Sequence, residues 1–248
     1  MILLLPLIFP ASFPLQEAKP VPKSTQVFGR VMSDFTLSDG ADGLGKGAEF
    51  RRVRLGVKGD LSAFASYKVE LAMTGVADAY LKLNHLFPAA LTIGHFKEPM
   101  GLDELTSSRF ITFMERSLGA AFNPSRNMGI QINDNAFGKR MTWALGVFRE
   151  TEAADGFSDS SAYQITGRMT GAPVYRDGGR EAVHVGLSYS HKFRELGGGE
   201  GVRWKAKSES HLAQTVADSG TLDTDGADLL NLEAAAVYGS LAVQAEYT

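Results

Sequence analysis

The 248-residue chain contains no cysteine, so neither a disulfide framework nor a thiolate metal site is available to it. This absence excludes little about its compartment, because disulfides are optional even in an oxidising one. The formal net charge is only −3, which argues against a general nucleic-acid-binding protein. The five histidines lack the spacing of a metal site, and we expect no metal and no cofactor.

Long apolar runs are also missing, since no stretch reaches the ~20 apolar residues of a membrane-spanning helix. The apolar run 2–9 is interrupted by Pro6, and further prolines follow it. It suggests either a signal peptide without its basic beginning or a wrongly assigned start. We interpret residues 1–25 as a signal-like or disordered segment. If the chain enters a membrane, it must do so as a barrel of strands.

Apolar and polar residues alternate with a period of two along most of the chain. This period indicates β-strands, and most of the segments have the ~10-residue length of a strand in a membrane barrel. The segments are 26–37, 49–59, 63–73, 76–84, 90–96, 127–133, 139–149, 161–170, 181–191, 200–208, 228–238 and 240–248. The pattern predicts an all-β, antiparallel barrel with short turns and longer loops, of which about twelve strands are present. Because the chain ends within a strand pattern, we expect a C-terminally truncated barrel.

Two of these segments have one cationic side. In 49–59, Arg52, Arg54 and Lys58 share a face opposite valine and leucine. In 200–208, Arg203, Lys205 and Lys207 share a face and form a basic ladder. A soluble β protein normally mixes both signs on its polar side, whereas one sign facing an enclosed lumen makes a pore selective for anions.

The segment 97–126 has no strand period and contains a helix-like stretch, 107–118. A segment of this length without strands is usually functional. We interpret it as a loop that folds into the lumen and narrows it. The alternative is a surface lid or a subunit-contact loop.

Four sequence blocks resemble a known family, the phosphate-selective porins O and P of Gram-negative outer membranes. The blocks are EFRRVRLGVKG at 49–59, DAYL at 78–81, LTIGHFKEPMGL at 91–102 and ELTSSRFITFMER at 104–116. The resemblance extends over 26–248. It implies a sixteen-stranded barrel, a homotrimer in the outer membrane, and passive diffusion of phosphate or polyphosphate through a channel lined by Arg and Lys.

The same resemblance implies roles for individual residues. Arg51 and Arg52 are similar to paired arginines that bind the anion at the constriction, and Arg30 to an arginine of the first strand. Asp78 is similar to an acidic residue that shapes the site, while Ser107 and Ser108 match hydroxyls on the inward loop. Strand alternation points Arg51 and Arg52 to opposite faces, so a bend or bulge is required if both line the pore. The full set of candidates for the pore is Arg30, Arg51, Arg52, Arg54, Asp78, Ser107 and Ser108, the ladder Arg203, Lys205 and Lys207, and further Lys58, Lys68, Lys97 and Arg109.

Two other classes of protein need to be weighed. Alternation and basic faces also occur in a soluble or surface-attached β-sandwich that binds an acidic ligand. An enzyme is not expected, because Ser188 with His184 and Ser190 with His191 are only neighbours on one strand and lack an orienting partner in register.

Overall fold

The computed structural model describes residues 24–37, 46–84, 89–151, 162–193, 201–207 and 210–248. Thirteen strands are present in these ranges: β1 Ser24–Thr36, β2 Gly47–Ser62, β3 Ala65–Ala72, β4 Gly75–Leu83, β5 Ala90–Lys97, β6 Arg126–Ala136, β7 Met141–Arg149, β8 Tyr163–Arg176, β9 Glu181–Phe193, β10 Lys205–Lys207, β11 Thr215–Asp218, β12 Gly226–Tyr238 and β13 Leu241–Tyr247. One short helix, α1 (Leu102–Leu105), and two 3₁₀ turns, Leu118–Phe122 and Asp177–Gly179, complete the structure. No helix in these ranges has the length and apolar character needed to cross a membrane. Of the signal-like segment 1–25, residues 1–23 lie outside the described residues, and Ser24 and Thr25 begin β1.

Eleven strands form one antiparallel sheet in the order β1 to β9, then β12 and β13. Each strand pairs with the next along the chain, and β9 pairs with β12 across the connection that contains β10 and β11. The all-β, antiparallel architecture predicted from the alternation is therefore confirmed. Successive antiparallel neighbours need only short turns, which is the up-and-down arrangement of a barrel wall.

Two details of the prediction are wrong. The sequence predicts segment 200–208 as a strand of the wall. Of its described residues, 201–207, only Lys205–Lys207 form a strand, and this strand pairs with β11 in a separate two-stranded ribbon. Alternation reports the two faces of an extended segment, not the sheet that it joins. The expected helical stretch 107–118 is irregular, and α1 lies earlier, directly after Gly101, whose φ of 74° few other residues adopt.

The two faces of the large sheet differ in chemistry. Apolar side chains such as Val31, Leu55, Ile130 and Leu187 point outwards and are between 43 and 65% exposed. Polar side chains such as Thr166, Ser190 and Asn231 point inwards and are fully buried. A water-soluble protein buries its apolar face, so this arrangement is inverted.

The sheet curls around the segment that joins β5 to β6. Eleven strands at ~4.8 Å spacing would span about 50 Å if flat. Nevertheless this one segment contacts both ends of the sheet, because Arg109 Nη2 donates to Gly29 O of β1 at 3.3 Å and Glu246 of β13 accepts a bond from the Asp103 amide at 2.9 Å. The inward face is therefore concave.

This architecture also decides against the β-sandwich. A sandwich consists of two sheets packed face to face with apolar side chains between them. The described residues form one curled sheet and a small ribbon, and the apolar face of the sheet is exposed. The sandwich alternative is therefore wrong.

Candidate functional site

A β-bulge in β2 lets two adjacent arginines point into the concavity. In the pairing of β1 with β2, Met32 lies opposite Arg52 and Ser33 lies opposite Phe50, which leaves Arg51 as the extra residue. An extra residue re-aims a side chain that strict alternation would point to the other face. Arg51 and Arg52 accordingly both line the inner cavity, and the bulge that alternation demands in that case is present.

The inner cavity has a volume of about 940 Å³ and lies between the wall and the segment 97–126. Twelve cationic and four acidic side chains line it, although the whole chain is slightly acidic. The cations are Arg30, Arg51, Arg52, Arg54, Lys58, Lys68, Lys82, Lys97, Arg109, Arg116, Arg126 and Arg168, and the acids are Glu70, Asp78, Glu104 and Asp134. Positive charge is therefore concentrated at one place in the fold.

Several of these cations are neutralised by a line of ion pairs across β2, β3, β4 and β6. Arg54 Nη1 lies 3.0 Å from Glu70 Oε1, and Lys68 Nζ lies 2.7 Å from Glu70 Oε2 and 2.5 Å from Asp78 Oδ2. Arg126 Nε completes the line at 2.7 Å from Asp78 Oδ1. Glu70 and Arg126 were not candidates from the sequence, although the spacing of Lys68 and Glu70 puts both on one strand face. Asp78 thus pairs with two cations, Lys68 and Arg126, and reduces the local positive potential.

Arg30 and Arg52 differ from these paired cations. The Nη1 atom of each is buried and has no hydrogen-bond partner among the residues that the structure describes. A buried donor without a partner costs ~1–3 kcal/mol, and a bound acceptor recovers that cost. Both guanidinium groups line the cavity and experience each other's charge. An anion is the ligand that would satisfy both donors and reduce their repulsion.

Arg51 is tied to the inward segment by Glu115. Its Nε and Nη2 atoms donate to the two carboxylate oxygens at 2.6 and 2.8 Å, a bidentate pair. Burial alone would raise the pKa of Glu115, but the hydrogen bonds and charge of Arg51 outweigh it and lower that pKa below its usual value. Arg51 is therefore a clamp for the segment as well as a cavity cation.

Bonds within the segment add to its contacts with β1, β2 and β13. Lys97 Nζ donates to the carbonyl oxygen of Glu104 and lies 3.1 Å from its Oε1, and Arg116 donates to the carbonyl oxygens of Asp103 and Thr106 at 2.7 and 2.8 Å. These bonds fold the segment into a compact plug. Ser107 is exposed and Ser108 is buried, and both line the cavity with Arg109.

A buried carboxylate anchors the base of the same segment. Glu98 is fully buried and accepts hydrogen bonds from Asn127 Nδ2 at 2.6 Å, from Thr166 Oγ1 at 2.5 Å and from Gln164 Nε2. Burial raises its pKa to about 7 despite these donors. No local pattern indicates this role, because the hydrogen-bond partners of Glu98 come from β6 and β8.

The basic ladder lies in the connection between β9 and β12, away from the strand wall. Arg203 forms a bidentate pair with Asp218 at 2.8 and 2.5 Å. Lys205 is about half exposed, and Lys207 Nζ donates to His211 O at 2.9 Å. Lys205 and Lys207 line a small cavity of about 190 Å³ together with Glu104 and Glu115 of the inward segment. The ladder therefore lies next to the plug and does not continue the strand wall.

Lys58 is the remaining candidate from the sequence. Its Nζ lies 5.9 Å from the centre of the Phe28 ring, and Lys68 Nζ lies 5.4 Å from the same ring. Both distances are within the ~6 Å range of a cation–π contact. Of the fourteen candidates, the eleven outside the ladder all line the one inner cavity.

Comparison with known proteins agrees with this architecture. A protein of Caulobacter vibrioides described as uncharacterized is 29% identical over 239 residues, which cover 88% of this chain and 47% of that protein. The chain thus spans about half the length of this relative. Residues 26–248 match the family described as "Phosphate-selective porin O and P". The chain, with its inverted sheet and its cationic inner face, therefore belongs to the phosphate-selective porin O and P family.

Proposed function

We propose that the protein is an anion-selective porin of the Gram-negative outer membrane that passes phosphate or polyphosphate by diffusion. The observation that carries this proposal is the pair of buried Nη1 atoms on Arg30 and Arg52, which have no hydrogen-bond partner in the described part of the chain and lie in a cavity of surplus positive charge. The exposed apolar face suits contact with lipid, and the family membership supports a channel as opposed to an enzyme. Conduction requires no covalent chemistry.

The energetics of passage favour this arrangement of charges. An anion that enters a narrow pore loses hydration, and each cation at ~4 Å returns on the order of 1–4 kcal/mol in the dielectric range from water to a protein surface. Release must also be easy, so the field cannot be too strong. The ion pairs of Glu70 and Asp78 limit the number of free cations near Arg30 and Arg52. Binding would then be strong enough to admit phosphate and shallow enough to release it.

The inward segment 97–126 would form the constriction. It presents Ser107, Ser108 and Arg109 to the cavity that Arg30 and Arg52 also line. Its clamps to Arg51 and to β13 resist displacement by the passing solute. We further propose that residues 26–248 form the wall of the pore, that the ladder of Arg203, Lys205 and Lys207 attracts anions at the entrance, and that the protein assembles as a homotrimer.

Planar-bilayer recording tests the function directly. The purified protein is placed in a chloride gradient, the reversal potential is measured, and phosphate is then added to both sides. We expect an anion-selective reversal potential and a chloride current that phosphate reduces with saturation. A cation-selective current would refute the proposal, and a chloride current indifferent to phosphate would reduce it to a general anion pore. Tripolyphosphate in the same assay separates longer substrates from orthophosphate.

A further inference from the structure

The outward face of the sheet carries a groove near the β8–β9 turn, on the side opposite the anion cavity. The groove has a volume of about 590 Å³. Its walls come from three adjacent strands and from the β6–β7 turn, and the main contributors are Phe137, Arg140, Met141, Met169, Pro173, Val185 and Leu187. Except for Arg140, these side chains are apolar.

The depression exists because one outward position has no side chain. Gly171 on β8 pairs with Met141 of β7 on one side and with Val185 of β9 on the other. A Cβ atom at Gly171 would meet only Val185 Cγ2, at 3.9 Å, so the space above it is open. The register with β9 shifts between Gly171 and Val174, which interrupts the pairing at Pro173 and lengthens the groove towards the turn.

The end of the groove near the turn is cationic. Arg140 is exposed, and its guanidinium donates one long hydrogen bond, from Nη2 to Tyr175 O at 3.4 Å. Lys139 precedes it, and Arg176 and Arg180 lie at the ends of the neighbouring turn. Arg140 is therefore the one cation among the described residues that line the groove. Lys139, Arg176 and Arg180 belong to the two turns but do not line it, and Arg176 lies 3.9 Å from Glu181.

We propose that this groove binds one anionic phospholipid, with an acyl chain along Gly171 and the phosphate at Arg140. The proposal rests on the membrane location given in the proposed function. Lipid tails are about as apolar as leucine, so the walls provide shape and little selectivity. The selectivity comes from the headgroup, because one Lys or Arg near a membrane surface attracts an anionic lipid by about 1 kcal/mol, or about fivefold.

Trp143 provides a probe beside the groove; it does not line the groove itself, and it also borders the inner cavity. It lies directly opposite Met169 in the pairing of β7 with β8, and directly opposed residues share a face of the sheet. The chain has two tryptophans, so Trp204→Phe leaves Trp143 as the single fluorophore. The protein is reconstituted into vesicles in which brominated-acyl phosphatidylglycerol or brominated-acyl phosphatidylcholine replaces increasing fractions of unlabelled lipid. Bromine quenches the fluorophore when the labelled chain occupies the groove.

We expect phosphatidylglycerol to quench Trp143 at about fivefold lower mole fraction than phosphatidylcholine. Arg140→Gln should remove this preference, whereas Arg176→Gln, next to the groove, should retain it. Gly171→Leu fills the groove and should remove the preference too. Gly167→Leu is the matched control, because Gly167 lies on the same strand face but does not line the groove.

Other outcomes overturn the proposal in distinguishable ways. Equal quenching by the two lipids in the parent protein would mean that the groove is ordinary lipid-facing surface. Absence of quenching by either lipid would mean that a second copy of the chain or another segment covers this face. In neither case is the anion conductance affected, so the proposed function is tested separately.

Discussion

The replacement Arg52→Gln tests whether the free guanidinium binds the anion, and Arg54→Gln is its matched control. The two arginines lie two residues apart on β2, line the same cavity and carry the same charge. They differ in pairing, because Arg54 bonds Glu70 at 3.0 Å, whereas Arg52 Nη1 has no partner among the described residues.

The structure predicts effects of different size for the two variants. A phosphate oxygen that satisfies the buried Nη1 of Arg52 recovers ~1–3 kcal/mol, and a cation at ~4 Å adds on the order of 1 kcal/mol or more. Because 1.4 kcal/mol is a factor of ten, Arg52→Gln should raise the phosphate concentration for half-block by about tenfold or more. Arg54→Gln removes the same charge but no free donor, and its half-block concentration should rise by less than about fivefold.

The order of the two variants should be reversed for stability, where Arg54→Gln should have the larger effect. Arg52→Gln removes an unsatisfied buried donor, so its unfolding free energy should not fall. Arg54→Gln breaks a partly buried ion pair and should lower the unfolding free energy by ~1 kcal/mol, since Glu70 keeps Lys68 at 2.7 Å. The assays are phosphate block of chloride current in planar bilayers and denaturant unfolding in detergent. Equal increases in half-block for both variants would refute the reasoning, because net charge alone would then explain binding.

Two further predictions concern the inward segment. Glu115→Gln should increase the preference for anions, because the substitution frees the Arg51 guanidinium and removes a negative charge. The expected result is a larger reversal potential in a chloride gradient, and a smaller one would contradict this prediction. Glu98 has a raised pKa of about 7, so its contribution to stability is full below pH 4.5 and is lost as the pH rises through about 7. Between pH 5 and 8 the unfolding free energy of the parent protein should therefore fall by ~3 kcal/mol more than that of the Glu98→Gln variant. If the unfolding free energies of the two proteins change with pH in parallel, Glu98 is not the titrating group.

The sequence by itself determined the strands and their two faces. Alternation depends only on the backbone geometry of each strand. It therefore located ten of the eleven wall strands to within three residues at each end. It also located the start of the eleventh, β8, but missed the last six residues of that strand. Alternation also predicted a bend or bulge near Arg51 and Arg52 if both line the pore, because adjacent residues on a regular strand cannot both point inwards. It failed for 200–208, where the same alternation belongs to a separate ribbon.

Only the tertiary structure decided which cations are free. Arg126 reaches Asp78 from 48 residues away and Arg51 reaches Glu115 from 64, through register and loop packing that no local pattern encodes. Arg52 and Arg54 share a strand face in the sequence, yet Arg54 pairs with Glu70 whereas Arg52 Nη1 has no partner within the described ranges. The reason is physical: charge is a property of a residue, whereas its neutralisation depends on which partner the fold brings within about 3 Å.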